Sequence, residues 1–186
     1  MKGKFGRAAI VLISCALTAS CASAGNESSE RSEAHMDMQE AAEHADGILD
    51  AVFEEIQPGV QWVHGPTTTG TCDVTRRRVV MTIVSAERRG SLLGLVDRFW
   101  RSSHYRIKAV NDDLEVPAIF AQTKEGFGVS LIVGGAGQFF FEVDSPCVRE
   151  AEVADPVTKP SGPSYAGAEV IPRPNVHSDF WSTGAS

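Results

Sequence analysis

The sequence predicts an α+β fold: a two-layer domain with two helices packed on a mainly antiparallel sheet. Three observations lead there. Apolar residues recur at three- and four-residue spacing in two separate stretches, one ending at Ile56 and one starting at Leu92. Val79 to Val84 is apolar on both faces, the pattern of a covered central strand. From Arg106 to Asp144, short β-prone runs alternate with turn residues, which makes consecutive antiparallel neighbours. Strands in runs, with helices that do not strictly alternate, imply α+β rather than a parallel α/β sheet.

The first helix carries Ala41, Ala45, Ile48, Leu49, Val52, Phe53 and Ile56 on one stripe and ends before Pro58-Gly59. Its Glu40, Glu43, Asp46, Asp50, Glu54 and Glu55 read as a solvated face, with a docking surface as the alternative. Val60 to His64 is a short strand around Trp62, and Gly65 to Gly70 is a Thr-rich loop. A second strand runs from Asp73 to Ala86. At its start Arg76-Arg77-Arg78 reads as a solubilising strand end, with an anion site as the alternative. Gly90-Ser91 reads as a stop and an N-cap for a helix bearing Leu92, Leu93, Leu95, Val96, Phe99 and Trp100. Arg98, Arg101 and His104 suit its C-terminal dipole, and Trp100 reads as a core anchor.

The rest of the domain is a meander. Arg106 to Asn111 and Ala118 to Thr123 flank an Asp112-Asp113 turn, and Lys124-Glu125-Gly126 is a tight connection needing glycine at positive φ. Phe127 to Val133 and Phe139 to Asp144 flank Gly134-Gly135-Ala136-Gly137. The element order is α-β-β-α-β-β-β-β over residues 36–148. Residues 149–186, broken by Pro156, Pro160, Pro163, Pro172 and Pro174, read as a disordered tail. Phe180-Trp181 within it reads as an incidental pair, with a partner-binding motif as the alternative.

Residues 1–20 are not part of this fold. Lys2, Lys4 and Arg7 precede an uncharged, mostly apolar run from Ala8 to Ala19, which is the order of an export signal and too short for a permanent span. Leu17-Thr18-Ala19-Ser20-Cys21 resembles a bacterial lipobox. That resemblance implies a diacylglyceryl thioether on Cys21, acylation with palmitate-type chains, and a mature chain beginning there. Residues 21–35 then form a polar, flexible tether. Two alternatives compete: Leu12-Ile13-Ser14-Cys15 as the lipobox, and Ala22-Ser23-Ala24 as a peptidase site releasing a secreted soluble protein from Gly25.

Charge and cysteines fit that compartment. Residues 1–20 hold three cations and no anions, so the net charge of −7 becomes −10 in the mature chain. That is a poor match for a nucleic-acid partner and argues against a polybasic grip on lipid, which leaves the acylated N-terminus to hold the bilayer. Beyond the signal region only Cys72 and Cys147 remain, an even pair that reads as one disulfide in an exported protein.

The stretch from Cys72 to Cys147 resembles small actinobacterial, Streptomyces-like envelope lipoproteins of uncharacterised function. The resemblance rests on Leu92 to Tyr105, on Ala118 to Thr123, and on Glu125-Gly126-Phe127-Gly128-Val129-Ser130-Leu131. Gly134 to Phe141 and Ser145-Pro146-Cys147-Val148 complete it. It implies a compact envelope domain and transfers no functional residue.

Catalytic signatures do not surface. There is no G-x-S-x-G elbow, and Gly134-Gly135-Ala136-Gly137 lies between strands rather than before a helix. His35 and His44 fall on opposite helix faces. Asp112, Asp113 and Glu115 lack the spacing of a calcium loop and read as a solvated turn. No catalytic, metal or cofactor residue is assigned. The expectation is a membrane-anchored, extracytoplasmic, non-catalytic module binding an unknown envelope protein or cell-wall ligand. A carrier of a small hydrophobic ligand and a cryptic envelope enzyme are the alternatives.

Overall fold

In the computed structural model, residues 36–165 and 170–184 are described. The elements are α1 (Met38–Glu55), β1 (Trp62–His64), β2 (Thr68–Thr69), β3 (Val74–Val80), α2 (Ala86–Ser102), β4 (Arg106–Asn111), β5 (Ala118–Gln122), β6 (Gly128–Val133) and β7 (Phe139–Asp144). The predicted α+β fold is present, with the two-residue β2 added where the sequence reads as loop. The sheet order is β1-β3-β7-β6-β5-β4, with β2 also on β3, and every pair is antiparallel. The last strand therefore returns beside the first long one, with Thr75 opposite Asp144 and Val79 opposite Phe140.

α1 begins with a reciprocal cap: the Asp37 carboxylate accepts from the Glu40 amide, and Glu40 accepts from the Asp37 amide. Its buried Ala41, Ala45, Ile48, Leu49 and Val52 pack over β3 and β7. α2 adds Leu92, Val96 and Trp100, and both helices lie on the sheet face of Val74, Val129, Leu131, Phe139, Phe141 and Val143. The Gly126 connection has φ 92, as a tight turn requires.

Three expectations are corrected. α2 starts at Ala86, with Ser85 rather than Ser91 as the N-cap, so Gly90 lies inside the helix. β3 stops at Val80 instead of reaching Ala86, because residues 81–83 find partners elsewhere. Met81 O accepts from the amides of Asn175 and Val176, and the Ile83 amide donates to Val176 O.

Those partners belong to the third correction. Residues 149–165 and 170–184 take no helix or strand, yet they pack as a strap rather than a disordered tail. Tyr165, Ile171 and Val176 cover Val63, Val79, Met81 and Phe140 on the sheet face away from the helices. The Gly162 amide donates to Trp62 O (2.8 Å), and the Trp62 amide donates to Ser161 Oγ (3.3 Å), which closes the β1 edge. Trp181 is 1% exposed, and its Nε1 donates to Pro58 O at 2.6 Å. Prolines exclude regular ladders from the strap, but apolar burial and bonds to the core order it without them.

Candidate functional site

The arginine triplet sits where the sheet meets α1. Strand alternation turns Arg76 and Arg78 toward the helix and Arg77 away. Arg76 and Arg78 are buried, contrary to the reading of a solubilising strand end. The acidic residues on α1 explain the placement: Asp46 and Asp50, one turn apart, face them. Arg76 Nε lies 3.2 Å from Asp46 Oδ2, and Arg78 Nη2 donates to Asp50 Oδ1 at 2.5 Å. Trp62 stacks on the Arg78 guanidinium at 4.0 Å. Part of the helix face read as solvated is thus half of an internal charge network. Burial pushes the Asp46 carboxyl above its usual range, outweighing the pull of Arg76 and Arg78.

This network is also what the strap grips. Arg76 Nη2 donates to Ala154 O at 2.7 Å, Thr158 Oγ1 donates to Asp50 Oδ2 at 3.1 Å, and His64 Nε2 lies 2.7 Å from Thr158 O. Arg76 and Arg78 are buried against α1 and the strap and Arg77 pairs with Glu142, so the triplet is a structural anchor and not an exposed anion site, although the Arg76 and Arg78 Nε atoms have no hydrogen-bond partner among the described residues.

A second feature lies at the other end of the sheet. An open groove of about 740 Å³ runs between α2 and the β4–β5 connection. On α2 it is lined by Ala86, Arg89, Gly90, Leu93, Gly94, Asp97 and Arg101, which is one helical stripe. Val110, Leu114, Pro117 and Ile119 form the opposite wall. Leu114 is 89% exposed and Val110 58%, so apolar surface is left open here. Two glycines hollow the helix wall. A Cβ on Gly90 would meet nothing within 4 Å, and one on Gly94 only the tip of Arg98.

The groove's charged groups are held in place. Arg101 Nε pairs with Asp97 Oδ2 at 2.8 Å. Asp113 Oδ1 accepts from the amides of Glu115 and Val116, which holds that carboxyl below its usual range. Arg89 Nη1 donates to Leu114 O at 2.8 Å, while its buried Nε has no hydrogen-bond partner among the described residues. Sequence reasoning missed this site because it began the helix at Leu92. Starting at Ser85, the spacing of residues 86, 89, 90, 93, 94, 97 and 101 reveals the stripe.

The remaining sequence candidates fall as follows. Cys72 and Cys147 are bonded, with Cα atoms 4.8 Å apart, and tie the entry of β3 to the exit of β7. Cys21, the alternative Cys15, the tether and His35 lie outside the described residues. His44 stacks on Phe127 at 4.6 Å. Asp112, Asp113 and Glu115 form the turn described above. Among the described residues no group of three His, Cys, Asp or Glu is placed to hold a metal, and no helix is long and apolar enough to cross a membrane. Phe180 lies against Arg88 while Trp181 enters the core, so that pair is no incidental one.

No protein-family model matches the chain, and no curated protein matches it. Among solved structures it is similar to a DUF4853 family protein from Actinomyces odontolyticus, an actinobacterium. The TM-score is 0.38 at 17% sequence identity, covering 62% of this chain and 70% of that one. A likeness this distant transfers no residue's role.

Proposed function

We propose that this chain is an exported, membrane-tethered, non-catalytic binding module whose binding surface is the groove between α2 and β4–β5, shaped for an apolar ligand. The observation that carries the reading is the pair Gly90 and Gly94. Each glycine inside a helix costs about 1 kcal/mol relative to alanine. Neither position needs glycine for backbone angle, and at Gly90 no neighbour needs the space. Their effect is to deepen a groove whose other wall is exposed and apolar, within the roughly 300–1,000 Å³ range of ligand sites. The bonded state of Cys72 and Cys147 supports an oxidising compartment, and the order of residues 1–21 supports attachment through Cys21. The ligand surface proposed is this open groove at the surface of the domain.

Two measurements test this. Thermal-shift screening with a panel of apolar ligands should yield compounds that raise the melting temperature of the wild type and not of Gly94→Leu, whose side chain fills the groove. A panel in which nothing separates the two proteins overturns the groove reading. For the tether, intact mass of membrane-fraction protein should show a diacylglyceryl adduct on Cys21, absent in Cys21→Ala. A lipid-free N-terminus at Gly25 instead assigns secretion.

A further inference from the structure

We propose that the groove binds a long-chain carboxylate, with its alkyl chain along the Leu93 wall and its carboxylate on Arg89. The inference rests on the groove reading above and adds the ligand's chemistry. Shape comes first. From Arg89 to Arg101 the α2 wall extends about 18 Å at 1.5 Å per residue. Between those ends it presents Gly90, Leu93 and Gly94 against Val110, Pro117 and Ile119. A long channel of this kind suits an unbranched alkyl chain better than a compact ring system.

Charge decides the headgroup. Arg101 is neutralised by Asp97 across one turn of helix. Arg89 has no carboxylate partner among the described residues: Nη1 bonds the carbonyls of Leu114 and Glu115, and Nη2 makes no hydrogen bond to a described residue. A guanidinium with donors to spare at the end of an apolar groove is complementary to one acid group on an apolar body. A single guanidinium, with Asp112 and Asp113 also on the rim, suits a monoanion and disfavours a phosphate dianion. An added peptide strand fits less well. The outer side of β4 carries Arg106 and Lys108, and a register shift between Ile107 and Ala109 breaks the regular ladder such a strand would extend.

The test uses the fluorescent polyene cis-parinaric acid and its methyl ester, titrated into the purified protein and followed by emission. The acid should bind about tenfold more tightly than the ester, as expected for one charge-assisted contact. Arg89→Gln should erase that preference, and Arg89→Lys should retain it. Gly94→Leu should abolish binding of both probes while leaving the melting temperature no lower. Equal affinity for acid and ester, lost in Gly94→Leu, would leave the groove reading standing and overturn the carboxylate assignment. Binding of neither probe, or binding untouched by Gly94→Leu, overturns both.

Discussion

At the scale of single residues, the arginine triplet marks what a linear reading misses. Three consecutive cations at a strand start look solvated, because the unpaired burial of even one would cost several kcal/mol. The compensation lies about thirty residues upstream, where Asp46 and Asp50 sit one turn apart on α1. Alternation along β3 was readable and would have placed Arg76 and Arg78 on one face. Which face was not readable, since Val79 and Val80 are both apolar. The buried pair has a pH signature. The Asp46 carboxyl is raised in the fold, so its contribution to stability is fully present below its unfolded value, about 3.9, and is lost as pH rises through the folded one. Chemical unfolding of wild type and Asp46→Asn from pH 3 to 7 should show the wild type at its best relative to the variant at the acid end. A difference that is constant, or that grows with pH, would contradict the placement of Asp46. Asp37 and Asp113 are shifted down and act with the opposite sign, so the variant comparison is needed to isolate Asp46.

At the scale of elements, α1 was legible in its apolar stripe and its Pro58-Gly59 stop, while its Asp37–Glu40 cap emerges only in the structure. α2 was legible only in its second half. Gly90-Ser91 is a plausible boundary locally, and what overrides it is the environment of Ser85. The Ser85 Oγ accepts from the Arg88 amide at 3.3 Å, and the Ser85 amide donates to Trp181 O at 2.9 Å. The strap thus fixes the residue that starts the helix, a contact no local pattern reveals. Ser85→Ala should therefore cost about 1 kcal/mol in urea unfolding, the usual loss of an N-cap, whereas Ser91→Ala should cost none. Gly90→Ala should stabilise by about 0.5–1 kcal/mol, since its added methyl meets open space. A cost at Ser91 equal to that at Ser85 would put the helix start back where the sequence alone places it.

At the scale of the whole molecule, the sheet has two edges treated differently. The strap closes the β1 edge with the Gly162 amide and the Ser161 hydroxyl, while the far edge at β4 borders the open groove. The meander and the Cys72–Cys147 bond were readable, from turn chemistry and cysteine parity; the return of β7 beside β3 was not, since no local signal sets so distant a pairing. The strap was not, because five prolines and scattered polar residues carry no period to follow. Its order depends on contacts with distant residues: Arg76 and Asp50 near one end, Met81 in the middle, and a slot for Trp181 at the other. That slot is the deepest of these, with the indole buried among core residues and its Nε1 on Pro58 O. Removing so large a buried side chain typically costs about 3–5 kcal/mol, a large share of the roughly 5–15 kcal/mol that holds a domain together. In the wild type, amide protons of Ile83, Ser85 and Val176 should exchange slowly, because their bonds join strap and core and break only when the two separate. Trp181→Ala should free residues 170–184 first. Peptides from that segment should then exchange rapidly while those from β3, β6 and β7 stay protected, and Ser85 should lose protection with the strap that bonds it. Rapid exchange across 170–184 already in the wild type would mean that the core holds its shape without the strap.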